Sequence, residues 1–240
     1  MRIIGLIGGM SWESTIPYYR LINEFIKQEL GGLHSARLIL YSVDFHDIER
    51  CMDADDWQAA GEALAGVARS LQSAGAQAVV LCTNTLHKVA AAIEAAVDIP
   101  LLHIADATAR ELVRAGIGTI GLLGTRVTME HEFYRERLSA RHGLRVLIPE
   151  RAERELLQRI IFEELCLGRV MPASRTDMQR IMTTLAAQGA EAIVLGCTEL
   201  TMLVGPEDST LPLFDTTSIH ARCAAQWALG SGTELDQLCK

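Results

Sequence analysis

Two short stretches of the sequence place a cysteine among small polar residues directly after an apolar run. Residues 78–88 read AVVLCTNTLHK, and residues 192–202 read AIVLGCTELTM. When the two are aligned without a gap, Cys197 falls on Thr83, and the thiol of Cys82 stands one residue earlier. A thiolate is a competent base when helix N-termini or nearby donors lower its pKa below the free value of about 8.5. The two stretches therefore indicate proton transfer, with Cys197 as the candidate base.

The residues beside the thiol have types that suit an anionic substrate. A carboxylate gains charge when its neighbouring carbon loses a proton, and the backbone N–H groups of residues 83–85 and 197–199 could stabilise that charge. Glu199 either orients and helps to deprotonate Cys197, or is a carboxylate favoured by a helix dipole, and both interpretations stay open. The expected substrate contacts in the two stretches are Asn84, Thr85, Thr198 and Glu199.

Short apolar runs alternate with helical patterns along the whole chain, and this alternation has to position the two stretches. Such a pattern is typical of β-α-β units and predicts an α/β fold with parallel sheets. A long helix is predicted over residues 153–168. Ligands of such sheets bind beyond the carboxyl ends of the strands, which is where both stretches would lie. The predicted strand segments are RIIGLIGG, ARLILYSVDF, AQAVVLCTN, IPLLHIADA, TIGLLGT, LRVLIPE, AEAIVLGCT and LPLFDTT.

The sequence also repeats itself. Three short matches recur in the same order at nearly constant offset, with 121 − 5 = 116, 189 − 75 = 114 and 212 − 100 = 112. This regularity indicates two similar, pseudo-symmetric Rossmann-like half-domains produced by an internal duplication. We predict a first half-domain of residues 1–104 plus 215–240 and a second of residues 105–214. The active site is expected in the cleft between them.

The quoted motifs resemble a known family. GLIGGMSWEST at the start, TNTLHK, GCTEL and FDTT followed by IHA are similar to motifs of the cofactor-independent aspartate/glutamate racemases, over essentially the whole chain. The likeness is closest to the bacterial L-aspartate/glutamate-specific and broad-specificity amino-acid racemases. The resemblance implies a 1,1-proton transfer at the α-carbon without pyridoxal phosphate or any other cofactor, with one cysteine in each half as base or acid. It also implies a homodimer.

The chain departs from this family at one catalytic position. The usual first motif reads Cys-Asn-Thr, and here those positions hold Thr83, Asn84 and Thr85. A shift of one residue along a strand reverses the side chain's face, so Cys82 is expected in the core. Cys197 would then be the single base, and Thr83, or water near it, would return a proton. The expected reaction is therefore directional, and the resemblance to the L-aspartate/glutamate-specific members implies that it acts on L-glutamate or L-aspartate.

Several residues elsewhere are weaker candidates. Gly8 and Gly9 permit a close backbone approach, so Met10 and Ser11 after them are expected at the same cleft, although a glycine turn needs no ligand. Further candidates are Met52 for side-chain selectivity, Arg50 and Arg169 for a distal carboxylate, and His87 and His220 as proton donors.

Three other functions stay open from the sequence. The first is a racemase of uncharged amino acids, which Met52 would suit. The second is a decarboxylase of arylmalonates, a group that keeps only the second-half cysteine. The third is an inactive amino-acid-binding protein that has lost one of two bases.

Composition excludes several broad classes. A net charge of −8 over 240 residues argues against nucleic acid as a partner and leaves a small-molecule amino acid as the expected one. No run approaches the roughly 20 apolar residues of a membrane helix, and no signal peptide is recognisable, so a cytoplasmic location without membrane contact is expected. No spacing suggests a metal site. The remaining cysteines are expected to be packing or surface residues: Cys51, Cys166, Cys223 and Cys239.

Overall fold

The computed structural model describes residues 1–230, so Cys239 lies outside the described residues. The chain divides into two compact units. The first comprises Met1–Ala107 together with the described residues from Thr217 onward, and the second is Thr108–Thr216. Each unit contains one four-stranded sheet.

All strand pairs in both sheets are parallel. The strands are β1 (Ile4–Gly8), β2 (Leu38–Ser42), β3 (Ala78–Leu81), β4 (Leu101–Leu102), β5 (Thr119–Gly124), β6 (Arg145–Leu147), β7 (Ala192–Gly196) and β8 (Leu213–Asp215). The first sheet has the order β2-β1-β3-β4, and the second has the corresponding order β6-β5-β7-β8. The predicted α/β fold with two similar parallel sheets is therefore confirmed.

Helices connect the strands in both units. They are α1 (Trp12–Leu30), α2 (Phe45–Asp53), α3 (Trp57–Ser73), α4 (Ala90–Glu94), α5 (Ile104–Arg114), α6 (Arg126–Glu130), α7 (Glu132–His142), α8 (Arg151–Arg159), α9 (Pro172–Ala187), α10 (Leu200–Leu203) and α11 (Thr216–Leu229). Shorter 3-10 turns occupy Thr85–Val89, Leu165–Leu167 and Pro206–Asp208. Each parallel crossover requires such a connection, because the chain must return to the same end of the sheet.

Three strands of the first sheet, β1, β3 and β4, are buried on both faces, as parallel strands usually are, whereas the edge strand β2 is partly exposed. On β3, Val79 and Leu81 point into an apolar cluster that includes α3 residues such as Leu64. Ala78 and Val80 point to the other face, where α1 and α11 supply the packing. The alternation of side chains along a strand therefore separates two cores within this unit.

The second sheet shows the same alternation. Ile193 and Leu195 of β7 point into a cluster built mainly with α8 and α9, whose members include Leu157 and Ile181. The two units thus bury equivalent strand positions against equivalent helices, as an internal duplication requires.

The long helix predicted over residues 153–168 is wrong as a single α-helix. The α-helix ends at Arg159, and a π-helical turn spans Ile160–Glu164. Leu157, Ile161 and Leu165 are each at most 1% exposed. A four-residue spacing drifts by about 40° per step around an α-helix. The wider π turn offsets that drift and keeps all three side chains in one core.

No helix within residues 1–230 combines the length and the apolar character that crossing a bilayer would need. The cytoplasmic location expected from the sequence stays a prediction.

Candidate active site

Cys197 follows the last residue of β7 and continues the alternation of that strand. Ile193, Leu195 and Cys197 belong to the same apolar cluster, and Cys197 is 7% exposed. The strand therefore delivers the thiol to the carboxyl edge of the second sheet with one side against the core. This is the edge at which parallel α/β sheets bind ligands.

A buried carboxylate contacts the thiol. Cys197 Sγ donates to Glu199 Oε2 at 3.0 Å, and Thr198 Oγ1 donates to the same oxygen at 2.6 Å. Glu199 is only 6% exposed. The two donors orient its carboxylate toward the sulfur, so the structure brings together the three predicted residues of the second motif.

The surroundings of Cys197 do not supply the lowered pKa that would make it a ready thiolate base. Burial raises the pKa of the Cys197 thiol well above its ordinary value, and the negative charge of Glu199 together with its hydrogen bond raises it further. The Glu199 backbone N–H faces the sulfur and lowers the pKa by a smaller amount. The raised pKa favours the thiol over the thiolate, so a base role for Cys197 needs an acceptor for the thiol proton.

Thr83 occupies in the first unit the position that Cys197 occupies in the second. It lies two residues beyond the end of β3 and is 7% exposed. Its backbone N–H donates to Leu81 O at 2.8 Å, so this N–H is part of a tight turn. That corrects the expectation that it is free for an anion. Asn84 and Thr85 follow Thr83 and are also buried.

Cys82 lies on the opposite face of β3 and is fully buried. It packs with Tyr18, Ile22 and Ala221, and its thiol faces Val80 O at 4.0 Å. Burial raises the pKa of the Cys82 thiol far above its ordinary value. The prediction that Cys82 belongs to the core is therefore confirmed.

His87 and His220 were candidate proton donors, and the geometry does not support that role. His87 Nδ1 lies 2.7 Å from Thr83 O, and His87 Nε2 lies 3.3 Å from Ile104 N. His220 Nε2 lies 2.6 Å from Leu102 O, and its Nδ1 lies 2.8 Å from Tyr18 Oη. All four ring nitrogens are engaged with buried protein groups.

The glycine turn after β1 serves packing within the first unit. A Cβ on Gly8 would overlap the Thr15 side chain, and one on Gly9, at φ 95°, would overlap the Val43 backbone. Met10 is 4% exposed and packs in the apolar cluster. The close approach that Gly8 and Gly9 allow is thus made by the protein itself. A substrate contact by Met10 stays a prediction.

The remaining candidates lie outside the two motifs. Met52, on α2, is partly buried against the same cluster as Met10. Arg50 and Arg169 are exposed, so nothing in the packing of either unit fixes them toward a substrate carboxylate. Their roles stay predictions. Among residues 1–230, no group of three His, Cys, Asp or Glu side chains is placed to hold a metal ion.

Thr125 is a residue that the sequence reasoning missed. Gly124 pairs with Gly196, so Thr125 and Cys197 leave neighbouring strands at the same level. Thr125 is buried, and its hydroxyl caps α6 by accepting from Thr128 N. The internal repeat could have pointed to Thr125, because the offset of 116 residues aligns it with Gly9 in the glycine turn of the first half (125 − 116 = 9).

Comparisons with known proteins agree with this geometry. The family model described as Asp/Glu/Hydantoin racemase matches residues 7–224. A crystal structure from Yersinia pestis, provisionally named an Asp/Glu racemase, is 57% identical with a TM-score of 0.91, covering 96% of this chain and 100% of that one. An aspartate racemase homologue from Pyrococcus horikoshii is 33% identical with a TM-score of 0.83, at the same two coverages.

A more distant relative has a named activity. The broad specificity amino-acid racemase RacX of Bacillus subtilis is 24% identical over 92% of this chain and 95% of that protein. The match of the family model to most of the chain, together with the Yersinia and Pyrococcus structures, decides the classification. The chain belongs to the Asp/Glu/hydantoin racemase family and is an isomerase of the racemase type.

Proposed function

We propose that this protein is a pyridoxal-phosphate-independent racemase of L-glutamate and L-aspartate that uses one thiol. The observation that carries the proposal is the bonded pair Cys197–Glu199 after β7, at 3.0 Å, set against a threonine at the equivalent position of the first unit. A thiol with a carboxylate acceptor can take a proton from carbon, whereas a threonine hydroxyl cannot do so unaided.

The first step removes the α-proton of the substrate. As the sulfur of Cys197 takes that proton, the original thiol proton passes to Glu199, so one C–H and one S–H bond break while one S–H and one O–H bond form. The electron pair left on the α-carbon spreads into the substrate carboxylate. Polar groups of Asn84, Thr85 and Thr198 are the proposed partners of the substrate.

The second step returns a proton to the opposite face of the carbon. We assign this step to Thr83, or to a water molecule that its hydroxyl holds: the donor O–H bond breaks as the new C–H bond forms. The alkoxide or hydroxide left behind then takes a proton from solvent, and Glu199 releases its proton to solvent, so the protein returns to its starting state. Removal of a proton from the D-isomer on this face would require an alkoxide or a hydroxide, which is costly at neutral pH. The two faces of the reaction are therefore chemically unequal.

This inequality has a defined kinetic form. The two enantiomers have equal free energy, so the equilibrium constant between them is one and kcat/KM must be the same from either isomer. The asymmetry instead appears in isotope exchange. Cys197 can exchange the α-proton of the L-isomer and return it to the same face, whereas exchange of the D-isomer has to accompany inversion.

The proposal also has to specify the side chain of the substrate, which is either acidic or uncharged. The partly buried Met52 favours uncharged amino acids as the alternative class, and the Bacillus subtilis relative is named for a broad specificity. We also propose a homodimer, which the family resemblance implies, and a cytoplasmic location, which the sequence predicts.

The test incubates wild type and Cys197→Ser with both isomers of glutamate, aspartate and several uncharged amino acids, without pyridoxal phosphate. Polarimetry follows racemisation. We expect activity on the acidic amino acids, reduced about 10³-fold in Cys197→Ser. Activity confined to uncharged amino acids would show that the proposed acidic substrates are wrong and that the enzyme is a racemase of uncharged amino acids. Release of carbon dioxide from phenylmalonate would indicate the decarboxylase. Binding without turnover would indicate an amino-acid-binding protein.

A further inference from the structure

Three buried imidazoles and a tyrosine line the carboxyl ends of β3 and β4 in the first unit. Tyr18, His87, His103 and His220 are each at most 3% exposed. The His87 ring centroid lies 4.4 Å from that of His103 and 5.9 Å from that of His220. The reaction proposed above uses none of these groups directly, although His87 contacts the backbone of Thr83.

The hydrogen-bond partners fix the protonation of His87. Ile104 N–H can only donate, so His87 Nε2 must accept at 3.3 Å and carries no proton. His87 Nδ1 then carries the proton and donates to Thr83 O at 2.7 Å. His87 is therefore a neutral imidazole that bridges the turn after β3 and the start of α5.

His103 is held in a similar way and does not compete for the same partner. Ala105 N–H donates to His103 Nδ1 at 3.2 Å. Backbone groups thus hold the rings of both His87 and His103, and of the two it is His87 that contacts Thr83.

The contact with His87 completes the restraint of Thr83. The N–H of Thr83 is bonded to Leu81 O at 2.8 Å, and the carbonyl of Thr83 is bonded to His87. Both peptide groups that flank the Thr83 Cα are held, so the direction of its Cα–Cβ bond is set by the backbone. The side chain is 7% exposed and begins from a fixed origin.

We propose that His87 is a positioning residue for Thr83: its Nδ1–H holds the Thr83 carbonyl and thereby directs the Thr83 hydroxyl for proton return. The inference rests on the racemase reaction proposed above. His87 itself transfers no proton, because both of its nitrogens are bonded to the backbone. Its loss should impair the step assigned to Thr83 and spare the step assigned to Cys197.

Two substitutions separate the two bonds of His87. In His87→Asn the side-chain NH₂ stands near the place of Nδ1 and can still donate to Thr83 O. In His87→Gln the longer amide reaches the place of Nε2 and leaves Thr83 O without its donor. Both variants replace the ring by a smaller amide. Tyr18→Phe is the matched control, since it removes a buried hydrogen bond to His220 without touching Thr83.

The experiment measures two rates by NMR in D₂O from L-glutamate and L-aspartate: deuterium entry into recovered L-isomer, and appearance of D-isomer. Their ratio does not depend on how much of a variant is folded. We expect His87→Gln to slow inversion about 10- to 100-fold while retentive exchange changes less than about threefold. His87→Asn and Tyr18→Phe should keep the wild-type ratio.

The other outcomes each overturn a defined statement. An unchanged ratio in His87→Gln, or an equal loss in both His87 variants or in Tyr18→Phe, would overturn the positioning role alone. If wild type exchanged no acidic or uncharged amino acid, the proposed function would fail, and the role of His87 would fail with it.

Discussion

At the scale of single residues, the behaviour of Cys197 depends on its partner. The sequence identified Cys197, Thr198 and Glu199 as neighbours, because a motif fixes spacing. It could not give the direction of the pKa shift, which depends on burial and on where the Glu199 carboxylate points. The structure places that carboxylate 3.0 Å from the sulfur. Its negative charge raises the pKa of the thiol and so disfavours the thiolate.

Substitution of Glu199 should therefore change the rate of Cys197 alkylation and the rate of α-proton exchange in opposite directions. Because the Glu199 charge raises the pKa of Cys197, Glu199→Gln should lower that pKa and speed alkylation of Cys197 by iodoacetamide at pH 7. In wild type, alkylation should be slow at pH 7 and should rise with pH, as more thiolate forms. Proton exchange should fall about 10²- to 10³-fold in Glu199→Gln, since the acceptor of the thiol proton is lost.

Mass spectrometry of the Cys197 peptide gives the alkylation rate, and buried Cys82 is an internal reference. Glu132→Gln, on the exposed surface of α7, should match wild type in both assays. Slower alkylation in Glu199→Gln, or exchange at the wild-type rate, would contradict the proposed role of Glu199.

At the scale of elements, side-chain alternation made the strands predictable. Apolar runs located all eight strands found within residues 1–230, and the period of two placed Cys82 in the core correctly. The sequence did not show that β4 is only two residues long or that a π turn follows α8. Both depend on how neighbouring segments pack, which a local pattern does not record.

The duplication supplies a matched pair of glycines for a test of packing. A Cβ on Gly5 would lie 2.9 Å from Ala76 Cβ and 3.1 Å from Leu71 Cβ, atoms tied closely to the backbone. At the equivalent Gly121 it would meet the far ends of two flexible side chains, Ile193 Cδ1 and Leu185 Cδ1, each at 2.9 Å, while Leu185 Cβ lies farther away at 3.3 Å.

Gly5→Ala should therefore cost about 2–3 kcal/mol in the free energy of unfolding, and Gly121→Ala less than about 1 kcal/mol. Urea denaturation followed by circular dichroism measures both. Equal costs, or a larger cost at Gly121, would show that the two strands are not restrained as their contacts indicate.

At the scale of the whole molecule, the repeated turn carries a thiol in one unit and a threonine hydroxyl in the other. Val79 and Leu81 face one apolar cluster in the first sheet, as Ile193 and Leu195 do in the second. Ungapped alignment of the sequence already paired Thr83 with Cys197. The restraint of Thr83 by His87 was not predictable. It depends on how the His87 ring is oriented, because one ring nitrogen must reach the Thr83 carbonyl while the other reaches the backbone N–H of Ile104 at the start of α5.

The most direct test of the single-thiol account is the ratio of retentive exchange to inversion, measured by NMR in D₂O for L- and D-glutamate separately. In wild type we predict that deuterium enters L-glutamate faster than D-glutamate appears, and that D-glutamate exchanges only as it inverts. Thr83→Cys should add retentive exchange from D-glutamate, whereas Cys82→Ala should behave as wild type. Retentive exchange from D-glutamate as fast as from L-glutamate in the wild-type protein would contradict the account.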